Sequence, residues 1–375
     1  MNILITGASG FIGSFICEEA LRKRHNVWAG LRISSSRKWL QNEWLNFVIL
    51  DLANPQKLSQ QLSSFRDKYG RWDVIIHAGG ATKCVNKEDF ELNNFLCTRN
   101  LVECLCRLDM LPEHFIYLSS LSVLGAIGED TVPPHKVDIP ADLPSDTEFV
   151  RKYTIQQSVY NPLLATSIPN PNTEYGKSKL MSEEYLKDFE NTEVFAELKG
   201  SKRFNFTIFR PTGVYGPREK DYFIMAKSIA NHYDFAAGFK PQEITFVYVQ
   251  DLVNAIFASL LHPVAYGKTY NVSDGYVYNS RAFSNLIQNE LGTRYVLHIT
   301  APLWLLKAIC KVSGFIGKIT GRTSTLNDDK YNILSQRNWQ CDINPLYEDL
   351  GFIPQWNLER GVNATIKWYI ENKWI

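Results

Sequence analysis

The first thirteen residues hold the feature that most restricts how this chain can fold. Ile3–Ile5 read as a short buried strand, and glycines follow at positions 7, 10 and 13. Apolar residues then recur at helical spacing from Ile12 to Leu21. In such a strand–turn–helix unit, Gly7 permits the tight turn, Gly10 lets the backbone approach a pyrophosphate, and Gly13 lets the helix pack closely on the strand. The free N–H groups of the helix would bind the phosphates. A glycine-rich turn that binds nothing is the alternative.

Further apolar runs alternate with helical patterns over the next hundred residues. The predicted strands are Asn26–Arg32, Phe47–Leu50, Val74–Gly80 and Phe115–Leu118. This alternation predicts an α/β fold with a Rossmann-type doubly wound parallel sheet and right-handed crossovers. Ligands of such sheets bind at the carboxyl ends of the strands, so the residues at those ends are the first candidates for a site.

The ends of the second and third strands indicate which dinucleotide would bind. Where a carboxylate would hold the ribose hydroxyls of NAD, the chain carries Arg32, followed by Ser34–Ser36. Arginine binds a 2′-phosphate through paired hydrogen bonds, so we predict NADP, with NAD as the alternative. Arg32 could instead stack on the adenine or face solvent. Asp51 and Leu52 would contact the adenine, unless Asp51 caps the helix that begins near Pro55.

The fourth strand ends in a histidine and three small residues. Ala78, Gly79 and Gly80 suit a backbone that passes close to the cofactor. His77 lies inside the strand, which favours a packed structural role over proton transfer.

Composition narrows the class of protein. The 375 residues exceed the usual size of one domain, and 45% hydrophobic with 21% charged residues is typical of a soluble globular protein. A net charge of +1 argues against a nucleic-acid partner. The seven cysteines show no C-x-x-C spacing, so we expect no metal site, no disulfide framework and a reduced, cytoplasmic setting. We also expect no signal peptide and no transmembrane helix.

A long segment, Gly128 to Asn172, interrupts the alternation of strands and helices. It is rich in Pro, Ser, Thr and Asp and follows the fifth strand. Loops of this length inside compact domains are usually functional or mobile. We predict that it covers the mouth of the active site, and a disordered surface insertion is the alternative.

Tyr175 and Lys179 lie four residues apart in a helical pattern and therefore share one helix face. A tyrosine phenol ordinarily titrates near pH ~10. A lysine ammonium one turn away, with a nicotinamide cation nearby, favours the phenolate. The pair predicts a general acid or base, although any Tyr and Lys at this spacing could equally be an ordinary surface pair.

Together these motifs resemble the extended short-chain dehydrogenase/reductase superfamily, and within it the NAD(P)-dependent epimerase/dehydratase family, on its dihydroflavonol reductase and 3β-hydroxysteroid dehydrogenase side. The matching segments follow one another in the family's order. They are Thr6–Gly13, Asp51–Leu52, His77–Gly79, Asn94, Ser119–Ser120, Tyr175–Lys179, Arg210–Pro217, Phe246–Leu252, Tyr270–Val272 and Leu350–Pro354.

The resemblance implies catalytic roles. Tyr175 would be the acid/base, Lys179 would lower its pKa and bind the nicotinamide ribose, and Ser120 would hydrogen-bond the substrate oxygen. Ser120 is preferred to Ser119 because it lies five residues before Gly125, as the family's serine does before its Val-x-Gly glycine.

The resemblance also implies a cofactor site, with Pro211 and Val214 bordering the nicotinamide. The residues expected to bind the cofactor are Gly7, Ser9, Gly10, Phe11, Ile12, Gly13, Arg32, Asp51, Leu52, Ala78, Gly79, Gly80, Asn94, Tyr175, Lys179, Pro211 and Val214.

Two domains and a partner are implied in the same way. The cofactor domain would comprise residues 1–216 and 246–274, with the 128–172 insertion at its active-site mouth. A smaller C-terminal α/β substrate domain would comprise residues 217–245 and 275–375. A homodimer through the helices Asn93–Leu108 and Glu174–Glu190 would follow from the family.

An apolar stretch, Ala301 to Thr320, stands out in the C-terminal part because Lys307, Lys311 and Lys318 interrupt it. We expect a substrate-domain helix packed on the core. A helix on a membrane surface and a cover over an apolar substrate are the alternatives.

Three functions fit these residues. The first is an NADP-dependent oxidoreductase acting on a carbonyl or secondary alcohol of a small molecule. Arg32 favours it, as does Thr212-Gly213, where many nucleotide-sugar enzymes of the superfamily carry an Asn. The second is a nucleotide-sugar epimerase or dehydratase that keeps its cofactor tightly bound. The third, a non-catalytic dinucleotide sensor, is disfavoured because Tyr175 and Lys179 are both present.

Overall fold

The structure is a computed structural model that describes residues 1–125, 128–140, 142–145, 147–197, 203–321, 324 and 326–375, without the side chain of Lys318. The strands in chain order are β1 (Asn2–Thr6), β2 (Asn26–Leu31), β3 (Asn46–Ile49), β4 (Val74–His77), β5 (His114–Leu118), β6 (His135–Lys136), β7 (Gln157–Ser158), β8 (Phe206–Pro211), β9 (Gly213–Tyr215), β10 (Tyr233–Ala237), β11 (Glu243–Ile244), β12 (Phe246–Tyr248), β13 (Lys268–Val272), β14 (Tyr278–Asn279), β15 (Leu297–Ala301) and β16 (Asn338–Trp339). The α-helices are α1 (Phe11–Arg22), α2 (Pro55–Tyr69), α3 (Glu88–Phe90), α4 (Cys97–Arg107), α5 (Glu148–Tyr153), α6 (Glu174–Asp188), α7 (Glu193–Ala196), α8 (Asp221–Ala230), α9 (Val249–Ala258), α10 (Ala282–Leu291), α11 (Leu303–Thr320), α12 (Asp328–Ser335), α13 (Asn344–Leu350) and α14 (Leu358–Glu371).

A seven-stranded parallel sheet has the order β13-β8-β5-β4-β1-β2-β3. The outward order from β1 reverses direction after β3, as expected of a doubly wound sheet. Its strands are almost continuously apolar because helices cover both faces, and β4 and β5 are buried along their whole length. The predicted α/β class and Rossmann-type sheet are confirmed.

The chain divides into two compact units. The first unit comprises Met1–Val123, Glu174–Arg210 and Ile256–Tyr270, and it holds nearly the whole of the seven-stranded sheet. The second comprises Leu124–Thr173, Pro211–Ala255 and Asn271–Ile375. This division places residues 124–173 with the C-terminal segments, whereas the predicted boundaries assigned them to the cofactor domain. The position of the substrate determines which segments form the cofactor domain and which form the substrate domain. The predicted domain boundaries therefore stay a prediction.

The segment 128–172 is folded within the second unit, in the parts of it that the structure describes. β6 pairs with β7, and α5 buries Phe149 and Val150. Asn338 Nδ2 donates to the carbonyls of Gly128 and Asn161, each at 2.9 Å. For these residues the disordered-insertion alternative is wrong, because backbone groups of the segment are satisfied by side chains almost 200 residues later in the chain.

The apolar stretch near residue 310 forms α11, which begins at Leu303. Its inner face packs on the second unit through Leu306 and Cys310, both buried. The opposite face is exposed, so the expectation of a helix simply packed on the core holds for one face only. None of the described helices combines the length and apolar character that crossing a bilayer requires.

Candidate active site

The glycine turn joins β1 to α1 and lies against the end of β4. Gly7 adopts φ +68°, and a Cβ placed there would lie 2.6 Å from the Ala78 carbonyl oxygen. A Cβ on Gly13 would lie 2.1 Å from the carbonyl oxygen of Gly7, so the first turn of α1 is pressed against the loop. Side chains are excluded at both positions, which confirms the predicted structural roles of these glycines.

The helix that follows offers its N-terminus to an anion. Gly10, which has no side chain, is the N-cap of α1, and its N–H donates to the Gly7 carbonyl at 2.9 Å. Phe11 and Ile12 form the first turn, and Ser9 precedes the cap; all three are partly buried. Backbone N–H groups at this helix end fit a cofactor pyrophosphate, because the helix dipole favours negative charge there.

The end of β2 leads into an exposed turn. The backbone N–H of Arg32 donates to Ser35 Oγ at 3.0 Å, and the Arg32 side chain is exposed. The end of β3 leads to Asp51, whose carboxylate lies 3.9 Å from Lys57 Nζ. The N-cap of α2 is Asn54, which accepts from the Lys57 N–H. The alternative that Asp51 caps this helix is therefore wrong.

The charges of Arg32 and Asp51 both act on the buried thiol of Cys97. Burial raises the pKa of Cys97 to about 11, with the charge of Arg32 acting to lower it and that of Asp51 to raise it. Leu52 packs against the apolar core of the first unit, and its carbonyl accepts from Asn100 Nδ2 at 2.9 Å. The strand-end residues predicted to face adenosine are thus gathered at the start of α4.

Asn94 fixes the loop that follows β4. It lies in a π-helical segment, Glu91–Leu96, that leads into α4. Its Oδ1 accepts from the Ala81 N–H at 2.7 Å, and its Nδ2 donates to the Ala81 carbonyl at 3.1 Å and to Ser178 Oγ at 2.8 Å. Short π-helical segments often occur at functional sites. Here the segment brings Asn94 between the β4 loop and α6.

Gly80, Asn94 and Lys179 meet at one point. A Cβ on Gly80 would lie 2.8 Å from Asn94 Oδ1 and 3.3 Å from Lys179 Nζ. Lys179 Nζ donates to the Leu118 carbonyl at 2.8 Å and lies 4.7 Å from the centre of the Tyr117 ring. A side chain at position 80 would therefore collide with Asn94, and the absence of one lets the backbone pass close to both polar groups.

His77 is held as a structural residue. Thr98 Oγ1 donates to the Asn94 carbonyl at 2.6 Å and therefore accepts from His77 Nε2, 2.9 Å away. Thr6 Oγ1 then donates to Nδ1 at 2.6 Å. Burial and the charge of Lys179 lower the pKa of His77 to about 3, so the ring is neutral at physiological pH. The interpretation of His77 as a packed histidine is consistent with these bonds.

Ser120 and Tyr175 are joined by a side-chain hydrogen bond. Ser120 follows β5 and Tyr175 lies in the first turn of α6, where its ring contacts that of Phe90 at 6.3 Å between centroids. Ser119 points elsewhere, and its Oγ donates to Glu183 Oε1 at 2.5 Å. The geometry is therefore consistent with the choice of Ser120 over its neighbour.

The pKa values of Tyr175 and Lys179 are both shifted in the direction that favours the uncharged form of the side chain. Burial raises the pKa of Tyr175 to about 12, although the side-chain hydrogen bond with Ser120 acts to lower it. Burial also lowers the pKa of Lys179 to about 7, opposed by the charge of Glu183. Desolvation outweighs the hydrogen bond with Ser120, and the phenol is protonated at neutral pH, as an ordinary tyrosine is.

Sequence reasoning missed a buried ion pair behind this group. Glu183 and Arg210 are joined twice, Arg210 Nε to Oε1 at 2.9 Å and Nη2 to Oε2 at 2.6 Å. Lys187 Nζ lies 3.3 Å from Oε2. Burial favours protonation of Glu183, but Arg210, Lys187 and Ser119 together hold its pKa below the ordinary value. Glu183 lies one turn after Lys179 in α6, and that spacing was the available signal.

The structure places Pro211 and Val214 in the second unit, Pro211 at the end of β8 and Val214 in β9, paired with Val247. The cofactor contacts assigned to them stay a prediction. Thr212 lies between them, and its Oγ1 donates to the Thr245 carbonyl at 2.7 Å.

A family model and individual relatives of known sequence assign the chain to the same protein family. Residues 3–273 match the NAD dependent epimerase/dehydratase family. The N-acetyl-α-D-glucosaminyl-diphospho-ditrans,octacis-undecaprenol 4-epimerase of Escherichia coli O157:H7 is 23% identical over 98% of this chain and 95% of its own. The GDP-6-deoxy-D-mannose reductase of Pseudomonas aeruginosa is 24% identical over 73% of this chain and 75% of its own.

Solved structures show the same fold. A UDP-glucose 4-epimerase from Thermotoga maritima, solved with UDP-glucose, covers 100% of both chains with a TM-score of 0.70 and 19% identity. A dTDP-glucose 4,6-dehydratase from Streptomyces venezuelae, solved with NAD bound, covers 100% of this chain and 98% of its own with a TM-score of 0.71 and 18% identity. The family match spans most of the sequence, as the resemblance had predicted. The chain therefore belongs to the NAD-dependent epimerase/dehydratase family of extended short-chain dehydrogenases/reductases, and it is an enzyme of that family.

Proposed function

We propose that this enzyme is an NADP-dependent oxidoreductase that transfers a hydride between the nicotinamide and a carbonyl or secondary alcohol carbon of a small molecule. The observation that carries the proposal is the Ser120–Tyr175 hydrogen bond. The same helix, α6, buries the Lys179 ammonium group one turn after Tyr175. A hydroxyl donor, a protonated phenol and a cation on adjoining strand and helix ends suit proton transfer to an oxygen that becomes an alcohol.

In the reductive direction, bound NADPH would supply the hydride to the carbonyl carbon and leave as NADP⁺. Tyr175 donates its phenolic proton to the carbonyl oxygen, which balances the reduction to the alcohol. Ser120 donates a hydrogen bond that orients that oxygen. Lys179, with a pKa near 7, stabilises the resulting phenolate and would hold the nicotinamide ribose. Catalysis in this scheme comes from position and charge.

Two observations support NADP and a simple redox reaction. The Arg32 guanidinium is exposed at the end of β2, where it can reach a 2′-phosphate. The Thr212 hydroxyl is bonded to the Thr245 backbone, at the position where many nucleotide-sugar enzymes carry an Asn for the substrate diphosphate. Thr212 has a structural partner that accounts for it without a diphosphate.

A titration of the purified protein with NADPH and with NADH tests the proposal. Tighter binding of NADPH, and exchange of bound cofactor with the medium during turnover, are the expected results. Preference for NADH would refute the assignment of Arg32. Net oxidation of NADPH by a carbonyl substrate, followed through the absorbance of the reduced nicotinamide, tests the redox step itself.

A second candidate is epimerisation or dehydration of a diphospho-linked sugar, with the hydride returned to the substrate. The observation that favours it is the similarity to relatives that include a 4-epimerase of a diphospho-linked sugar. The same Ser120, Tyr175 and Lys179 would serve both halves of that reaction. Cofactor that copurifies and does not exchange, together with turnover of sugars linked to UDP or to a polyprenyl diphosphate without net NADPH oxidation, would select this candidate.

A further inference from the structure

Helix α11 presents an apolar face that the structure leaves exposed. Trp304 is 72% exposed, Phe315 is 65% exposed and Ile319 is 70% exposed. The exposed apolar residues on this helix are Trp304, Leu305, Ala308, Ile309, Val312, Phe315, Ile316 and Ile319. At ~100° per residue they fall within an arc of about 140°, so they form one continuous surface along the whole helix. Monomeric soluble proteins rarely expose an apolar surface of this kind without a partner for it.

The opposite face shows that the helix is firmly oriented. Leu306 and Cys310 are buried, and Ser313 Oγ lies 2.7 Å from Ser324 Oγ in a hydrogen bond. These contacts lie on the side of α11 that faces α12, within the second unit. The exposed face is therefore presented outwards by a helix that is anchored through its other side.

The charges on α11 are of one sign. The helix sequence contains Lys307, Lys311 and Lys318 and has neither Asp nor Glu. Lys307 and Lys311 are exposed, and at ~100° per residue they fall between the buried face and the apolar face. Lys307 Nζ lies 5.6 Å from the centre of the Tyr331 ring. Lysines at this flank can lay their stems along an apolar surface and direct their ammonium groups to anionic headgroups.

A second exposed aromatic residue lies next to the start of the helix. Gly238 abuts Leu303, since a Cβ on Gly238 would lie 3.2 Å from Leu303 Cδ2. The next residues, Phe239 and Lys240, are both exposed, Phe239 to 75%. The pairing of an apolar ring with a lysine therefore recurs beside α11 on a separate loop.

We propose that the apolar face of α11 docks the enzyme on the surface of an anionic lipid bilayer, with the helix lying in the plane of the interface. Trp and Phe on one face with lysines beside them is the composition of interfacial helices. A second copy of this chain suits the face less well, because joining two such helices would bring together two sets of lysines with no carboxylate on either helix. The docking is independent of the redox chemistry and goes beyond the proposed function.

Cosedimentation with lipid vesicles tests the docking. Vesicles of phosphatidylcholine with phosphatidylglycerol should retain the wild-type protein, and vesicles of phosphatidylcholine alone should retain it about tenfold less. The double variant Trp304→Ser/Phe315→Ser should lose about tenfold or more of its binding to the anionic vesicles. Lys307→Glu/Lys311→Glu should lose a similar amount at low salt and show little salt dependence.

Matched control variants distinguish a loss of docking from a loss of protein stability and from nonspecific adsorption to vesicles. Trp44 is 75% exposed in the first unit, so Trp44→Ser removes an equally exposed indole from elsewhere and should bind vesicles like the wild type. Lys68→Glu/Lys367→Glu makes the same charge change at exposed positions on α2 and α14, and this variant should also bind normally.

Two outcomes would overturn the proposal. The first is a failure of the wild-type protein to bind anionic vesicles, or binding that the α11 substitutions do not reduce. The other is a concentration-dependent dimer, seen by sedimentation in the absence of lipid, that Trp304→Ser/Phe315→Ser abolishes, since the face would then belong to a second copy. Vesicle binding is measured without substrate or cofactor, so failure of the proposed redox function would leave the result readable.

Discussion

Folded proteins usually bury apolar side chains and expose charged ones. The strand-end site of the first unit buries charged side chains, whereas helix α11 of the second unit exposes apolar ones. Around the strand ends, Lys179, Glu183 and Arg210 are buried, although charged groups normally stay in water. On α11, Trp304 and Phe315 are exposed, although large apolar groups are normally covered.

The difference between the two regions lies in whether each departure is compensated within the protein. Each buried charge has a partner that the structure shows: a carbonyl for Lys179, and a doubly bonded ion pair for Glu183 and Arg210. The exposed face of α11 faces solvent. The buried charges of the first region are compensated within the protein, so its variants should alter catalysis or stability. The apolar face of α11 has no compensating contact in the described structure, so variants of that face should alter binding to a partner surface. The following tests examine the first half of that contrast.

Tyr175→Phe should have the largest effect, because it removes the proton that the proposed reduction requires. We expect kcat to fall by about 10²- to 10⁴-fold, with a much smaller loss of cofactor affinity and little change in unfolding free energy. Steady-state kinetics with a cofactor titration measures both quantities. Tyr185→Phe, which removes a phenol later in the same helix, is the control and should keep its activity. Near-normal turnover by Tyr175→Phe would show that another group carries the proton.

Glu183→Gln should be the most destabilising of these changes. It keeps the shape of the side chain but leaves the Arg210 charge buried without its counter-ion, at a cost of about 3–5 kcal/mol in unfolding free energy. Urea unfolding at pH 7 measures it. The exposed neighbour Glu184 provides the control, since Glu184→Gln should change stability by less than about 0.5 kcal/mol.

The same variant gives a pH test with a defined sign. The pKa of Glu183 is lowered in the folded protein, so the carboxylate contributes stability above the unfolded pKa of ~4.3 and loses it as pH falls through the folded value. The difference between wild type and Glu183→Gln should therefore be full at neutral pH and shrink in acid. A difference that stays constant down to acid pH would mean that the ion pair is not its source.

Arg32→Ala should weaken NADPH binding and leave NADH binding nearly unchanged. Loss of charge-assisted hydrogen bonds to a 2′-phosphate is worth about 1.5–3 kcal/mol, or roughly ten- to hundredfold in Kd. Parallel titrations with the two cofactors provide the measurement. Arg37→Ala is the matched control, because Arg37 stacks on Phe47 at 4.2 Å. Equal losses for both cofactors would assign Arg32 to adenine stacking instead.

The smallest effect should come from adding one methyl group to the glycine turn. Gly13→Ala forces a Cβ to within 2.1 Å of the Gly7 carbonyl oxygen and should cost about 1–3 kcal/mol of stability. Gly10→Ala is the control in the same motif, because its Cβ would lie 3.1 Å from that oxygen. It should weaken cofactor binding more than stability. Thermal unfolding and cofactor titration separate the two effects.

Much of the first unit could be predicted from local sequence patterns. The strand ends, the glycine turn and the Tyr175–Lys179 spacing are set within a few residues, because strand, turn and helix geometry is local. The preference for Ser120 over Ser119 rests on the family resemblance, through its spacing to Gly125, and stays a prediction. What spacing did not reveal was the partner of each polar group: Asn94 bonded to the loop after β4, and Glu183 bonded to Arg210.

The second unit shows where local patterns are insufficient. The segment 128–172 reads as an irregular insertion because its partners, such as Asn338 and Gln340, lie far along the chain. The amphipathic pattern of α11 predicted a helix with an apolar face correctly. It could not show that the helix would turn that face outwards, since periodicity specifies which residues share a face and leaves open what covers it.

The sequence by itself determined the fold class and the strand-end positions of the candidate site, because these depend on steric rules that act over a few residues. The order of its motifs determined the family through their resemblance to known proteins. Only the tertiary structure decided which charges became buried pairs, that burial raises the pKa of Tyr175, and that α11 presents its apolar face to the surroundings. Those outcomes depend on solvent exposure and on distances between residues remote in sequence, which exist only once the chain has folded.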